Sequence, residues 1–297
     1  MSNQSSPANH EKEQVAWVSV GAAVFLTIIK FVVGFATGSL GILSEAAHSG
    51  LDTAAALMTA LAVRIAGKPA DKTHNYGHGK VENFSALLET MLLLFTCFII
   101  IKEAAARLHS GQYLVEVNAW SFAVIALSII VDINRSHYLY KAARRYRSQA
   151  LEADALHFSS DIWSSGVVLL GLLFVKLGWP AGDPLAALGV AVLVAVATLR
   201  LGKRTIEALL DTAPPGLSSR IKEAVQEIEG VQECRMVRAR QAGAHAFVDI
   251  KVVLAKDMHL SAADGVLQNV EAAVQQLLPE ADVMVRPLPD LKRPLTG

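Results

Sequence analysis

The sequence predicts a membrane domain of six transmembrane α-helices followed by a small α+β cytosolic domain. Three observations predict it. Of 297 residues, 53% are hydrophobic and 18% charged, where a soluble domain carries roughly 25% charged residues. Six apolar segments each supply the roughly 20 helical residues that a bilayer core about 30 Å thick requires. After Asp211 the charge density rises and short alternating patterns begin. A formal net charge of zero argues against nucleic acid as a partner, because a phosphate-binding surface needs a basic excess. Cys97 and Cys234 are too few for a disulfide framework or a thiolate zinc site, so any metal must be held by His, Asp and Glu.

Residues 1–14 are polar, and Glu11, Lys12 and Glu13 stand where a secretory signal would have a basic lead-in; this segment is expected to be a short retained tail. The spans fall at about 15–36, 40–66, 82–108, 118–140, 150–178 and 184–210. Gly38 and Ser39 join the first two in a tight hairpin. The second connection carries Arg64, Lys68, Lys72 and Lys80, and the fourth carries Lys141, Arg144, Arg145 and Arg147, whereas the third and fifth offer little beyond Arg107 and Lys176. Basic residues near span ends stay in the cytosol. Both termini therefore face the cytosol, and the compact loops suit a bacterial inner membrane.

Pro214, Pro215 and Gly216 are expected to end the sixth helix. Leu217, Ile221, Val225 and Ile228 give residues 217–229 a helical period. Strands follow at 233–241 and 246–254 across a turn at Ala242 and Gly243, then a helix at 261–278 and a strand at 282–286. The order αββαβ is a two-layer domain over 211–290, too small to be an evident enzyme, with 291–297 as a tail.

Ionisable groups inside a membrane span are costly unless paired or hydrated, so each is a functional candidate. Two spans carry the same constellation: Glu45, His48 and Asp52 in the second, Asp154, His157 and Asp161 in the fifth. A His and an Asp four residues apart share one helix face. If the two helices touch, two imidazoles and two carboxylates converge, a nitrogen and oxygen set suited to a divalent ion of the zinc type rather than magnesium or calcium. Two carboxylates balance a dication, and protons compete with metal for the same atoms. That competition is the chemistry of an exchanger. The plainer reading is that each pair only cross-links helices.

Glu45 and Asp154 either orient the imidazoles or sit near water. Asp132, Asn134 and Arg135 are expected as a local polar cluster, and Lys30 as a snorkelling side chain. In the second connection, Asp71, His74 and His78 lie at spacings of three and four around Gly77 and can close on one ion; a solvated polar loop is the alternative.

Taken together, Gly38 through Asp52, Pro69 through Lys80, Ser148 through Asp161, and Leu210 with Asp211 resemble the cation diffusion facilitator family of metal and proton antiporters, over about Ala16 to Pro289. The resemblance implies a homodimer with a metallochaperone-like cytosolic dimerisation domain. It places the transport site on His48, Asp52, His157 and Asp161, in the zinc-preferring pattern, and a second site on Asp71, His74 and His78. It also implies a charge interlock between Lys80 and Asp211. The tail departs from the pattern: Arg235, Lys251, Arg286 and Leu288 stand at positions where relatives place metal ligands. His245 and Asp249 remain, but lie four residues apart on a strand, roughly 13 Å.

The expected function is proton-coupled efflux of Zn²⁺, with Cd²⁺, Co²⁺ or Fe²⁺ as further cargo, by alternating access, with no organic cofactor and no enzymatic step. The alternatives are a membrane metalloenzyme, which needs an open coordination position for water, and a metal-sensing module without transport.

Overall fold

A computed structural model describes residues 7–37, 40–110, 119–176, 182–243, 245–279 and 281–290. The Gly38 and Ser39 connection expected between the first two spans lies outside them. Six helices precede residue 210: α1 Pro7–Thr37, α2 Leu40–Ala66, α3 Lys80–Ser110, α4 Ala119–Tyr146, α5 Gln149–Lys176 and α6 Gly182–Leu209. Residues 7–14, expected as a tail, form the first two turns of α1, because Lys12 has a buried partner in α3.

The helices present apolar residues outward. Val18, Phe25, Ile28, Val32 and Phe35 of α1, and Met91, Phe95 and Phe98 of α3, are exposed, as expected where lipid is the solvent. Among the described residues, α1, α2, α3 and α6 are long and apolar enough to cross a membrane on length and composition alone. Helix α4 carries Asp132 and Arg135, and α5 carries Glu152, Asp154 and Asp161.

Inside, the core uses small side chains: Ala16 and Ala23 of α1, Ala56 and Ala60 of α2, Ala142 and Ala143 of α4, Ala150 and Ala155 of α5, around Leu139, Leu151 and Phe158. Small residues let helix backbones approach closely where lipid leaves little hydrophobic drive between helices. Gly34 serves the same end on α1, since a Cβ there would meet Leu43 at 2.8 Å.

Local chemistry sets the helix ends. Arg147 adopts φ 50° after α4, and the Ser148 N–H donates to the Ala143 carbonyl at 3.0 Å, a left-handed stop. The Ser148 hydroxyl then accepts the Leu151 N–H at 3.3 Å, capping α5. Asp211, at φ 59°, stops α6 in the same way, with the Thr212 N–H donating to the Glu207 carbonyl at 2.9 Å. The helix thus ends before the prolines expected to end it.

The chain divides into two compact units, Met1–Ile206 and Glu207–Gly297. The second contains α7 Leu217–Gln226, β1 Glu233–Ala242, β2 His245–Leu254, α8 Leu260–Leu277 and β3 Ala281–Pro289. Strand β2 is central, antiparallel to β1 and parallel to β3. Its alternating burial puts Val248, Ile250 and Val252 into one core with Ile221 and Val225 of α7 and Val270 and Val274 of α8, the pattern of a sheet covered on one face. Cys234 joins that core, and burial pushes its thiol above the usual cysteine range.

Candidate metal centre

Helices α1 and α2 pair first. The Thr27 hydroxyl donates to the Ser49 carbonyl at 2.8 Å and lies 2.9 Å from the Thr53 hydroxyl. This polar seam turns the Asp52 face of α2 inward. Helix α5 meets α4 through the Ser136 hydroxyl, which donates to the Ala155 carbonyl at 3.1 Å and lies 2.7 Å from the Ser159 hydroxyl. Side-chain bonds of this kind hold helices in register inside a membrane.

Between these pairs, His157 Nε2 lies 3.1 Å from Asp52 Oδ1 and 3.8 Å from Asp161 Oδ2. Asp52, His157 and Asp161 each offer one ligand atom, all within 4.8 Å of one another. His48 approaches through Nε2 at 3.8 Å from Asp52 Oδ1, but its side chain is 48% exposed. The structure thus gathers three of the four expected residues and leaves His48 at the rim. His48, Asp52 and Asp161 line a cavity of about 130 Å³ together with Lys30, Asp132 and Arg135.

One reading of the sequence needs correction, and a second is extended. Lys30 does not snorkel: it is buried, its Nζ donates to the Ser49 hydroxyl at 2.7 Å, and it lines the cavity. The polar seam between α1 and α2 supplies its acceptor inside. Asp132 and Arg135 do pair, Nη1 to Oδ1 at 3.4 Å, yet they also line the cavity. Arg135 stacks over Phe158 at 3.5 Å and donates to the Ser19 hydroxyl at 3.1 Å. Asp154 is buried and accepts from Ser19 at 3.2 Å, so it is tied to α1 rather than placed near water. The Glu45 side chain lies outside the described residues.

Glu89 of α3 and the pair Lys12 and Glu82 were missed. Glu89 is 2% exposed and accepts from the Thr59 hydroxyl, while its Oε2 is buried with no hydrogen-bond partner among the described residues. Glu82 accepts from both Lys12 and the Ser148 hydroxyl, joining α1, α3 and the start of α5. The available signal was the same as for the fifth span, a carboxylate within an apolar run.

In the second connection, Asp71, His74 and His78 also bring ligand atoms within 4.8 Å. His74 Nδ1 lies 3.2 Å from Asp71 Oδ1, and His78 Nε2 lies 3.3 Å from Asp71 Oδ2. Gly77 makes the turn at φ 76°. The backbone N–H of His74, then the hydroxyl and N–H of Thr73, donate to Asp71 and hold its carboxyl well below the usual carboxylate range. Two imidazoles and an ionised carboxylate are a donor set that fits a zinc-type ion.

In the tail, His245 and Asp249 are both exposed on β2, where Asp249 faces Arg238 and Met284, and His245 faces Ala242. No third ligand joins them among the described residues. Lys251 lies directly beside Arg286, which makes the open face of the sheet cationic there. Lys80 opens α3, and Asp211 ion-pairs with Arg240 at 3.8 Å.

Two family patterns match the chain: the cation efflux transmembrane domain over residues 16–210 and the cation efflux protein cytoplasmic domain over residues 213–289. The cation-efflux pump FieF of Serratia proteamaculans is 30% identical over 274 residues, 92% of this chain and 91% of that one. FieF of Salmonella arizonae is 31% identical over 277 residues, with the same coverage. Among solved structures, the zinc form of CzrB is 26% identical, covering 28% of this chain and 94% of that one at a TM-score of 0.26. A nickel-form MamM CTD variant is 22% identical, covering 26% and 98% at 0.25.

Proposed function

The chain belongs to the cation efflux (cation diffusion facilitator) family of multi-pass membrane transporters, which are not enzymes, and from that premise we propose that it exports Zn²⁺ from the cytosol in exchange for protons by alternating access. The observation that carries this reading is the convergence of ligand atoms of Asp52, His157 and Asp161, from α2 and α5, within 4.8 Å of one another, with Asp52 and Asp161 opening on one cavity. Imidazole and carboxylate donors favour zinc, with cobalt, cadmium and iron(II) as further cargo.

The exchange follows from the contact between His157 Nε2 and Asp52 Oδ1 at 3.1 Å. A hydrogen bond at that length needs a proton between the two atoms. A metal ion using the same two atoms must displace it, so one occupant leaves as the other arrives. His48, half exposed beside Asp52, is the fourth ligand and closes on the ion as the helices rearrange. The exchanger needs no covalent step.

The loop residues Asp71, His74 and His78 form a second, accessory metal site on the cytosolic side. The tail dimerises two copies, and His245 and Asp249 contribute little metal affinity. Zinc uptake into proteoliposomes under a set proton gradient tests the main reading. Asp52→Ala and Asp161→Ala should each abolish uptake, and wild-type rates in either would falsify it.

A further inference from the structure

We propose that Lys30 is a release-promoting residue: its ammonium is a tethered cation in the transport cavity that weakens metal binding enough for the ion to leave. The inference rests on the transport reading above. Lys30 is 6% exposed, and its Nζ is held by the Ser49 hydroxyl at 2.7 Å, on the residue next to His48. It lines the same cavity as His48, Asp52, Asp132 and Asp161.

Charge counting shows what it does. The lining carboxylates are Asp52, Asp132 and Asp161, and the lining basic side chains are Lys30 and Arg135. Counted as ionised, three negative and two positive charges leave one negative, so a dication is under-compensated by one charge. Without Lys30 the cavity would hold two negative charges, the number that balances a dication. Arg135 is committed elsewhere, to Asp132, Ser19 and the Phe158 ring, and beyond Ser19 lies Asp154. Lys30 is held on the α2 side of the cavity, against the helix that carries His48 and Asp52. In a cavity walled by protein, two like charges repel far more than in water. A transporter that bound its cargo without this repulsion would load readily and release slowly.

The test measures binding and turnover separately, using full-length protein in lipid nanodiscs and proteoliposomes. A His74→Ala/His78→Ala background removes the loop donors. Zn²⁺ is titrated at fixed pH against Lys30→Met, Lys30→Gln, Lys30→Arg and Ser49→Ala. Both neutral variants should bind zinc on the order of tenfold more tightly and show a lower kcat with a lower KM. Lys30→Gln keeps a donor for Ser49, so it reports charge even if Lys30→Met is poorly folded. Lys30→Arg and Ser49→Ala, which keep a positive charge, should stay near the wild-type affinity. Unchanged or weaker binding in Lys30→Gln overturns the proposal. So does Ser49→Ala tightening binding as much as the neutral variants, because the hydrogen bond and not the charge would then be responsible. An Asp52→Asn/Asp161→Asn control separates the two levels: zinc binding that survives it overturns the transport site itself, whereas its loss alongside unaltered Lys30 variants overturns only the role of Lys30.

Discussion

His157 of α5 lies 3.1 Å from Asp52 of α2, and this contact between two helices sets a rank order for the proposed transport residues. Asp52 lies 3.1 Å and 3.8 Å from the two histidines, whereas His48 pairs, among the described residues, with Asp52 alone and is half exposed. We expect His48→Ala to weaken zinc affinity less than His157→Ala, with Asp52→Asn the most damaging of the three. Zinc titration of the purified variants, followed by flux measurements, checks the order; a larger loss in His48→Ala than in His157→Ala contradicts it.

The loop predicts a separation of turn from charge. Asparagine can take the role of Asp71 as acceptor for the His74 and Thr73 amides but carries no charge for a metal. Asp71→Asn should lower loop affinity for cobalt by roughly tenfold while lowering the thermal unfolding temperature of the metal-free protein only slightly, because the turn keeps its acceptor and loses only the charge. Cobalt absorption and a melting curve read the two effects independently.

The same loop has a defined response to acid. Hydrogen bonding holds the Asp71 carboxyl below its ordinary value of 3.8, so between the folded and unfolded values the unfolded chain binds the extra proton. Stability from this group is therefore fully present above the ordinary value and is lost only as the pH falls through the depressed one. Between pH 8 and pH 5, Asp71 should stay ionised in the folded loop, and the Asp71→Asn change should cost metal-free stability no less at pH 5 than at pH 8, because the imidazoles of His74 and His78 lie 3.2 Å and 3.3 Å from its oxygens. Melting curves at the two pH values test this.

Lys12 and Glu82 form a buried ion pair, their side chains 4% and 1% exposed. Removing one partner strands the other, which costs about 3–5 kcal/mol. Lys12→Met and Glu82→Gln should each lower stability, and the double variant should recover part of the sum. A double-mutant cycle on thermal unfolding in nanodiscs measures the coupling; additive losses would mean that the two side chains do not act as a pair.

The tail should behave as a scaffold. His245→Ala and Asp249→Ala are expected to leave zinc flux within twofold of wild type, whereas Ile250→Ala, in the buried face of β2, should destabilise the domain by about 2–5 kcal/mol. Flux assays and thermal unfolding distinguish these, and a large flux loss in His245→Ala would restore a metal role to the tail.

The six helices, the αββαβ order and the two His and Asp pairs were legible in the sequence because each depends on local properties. Apolar length marks a span, the helical repeat puts residues 157 and 161 on one face, and alternation along β2 marks its buried side. The tertiary structure decided which way each buried charge turned. Lys30 could have reached outward to water or inward to Ser49, and only the packing of α1 on α2 fixed the inward course. Likewise, Lys12 and Glu82 became partners across 70 positions, His48 was left at the cavity rim, and Glu89 was closed over by its neighbours. A charge within an apolar run announces that it must be satisfied; its partner is set by which helix faces meet, a property that no single segment carries.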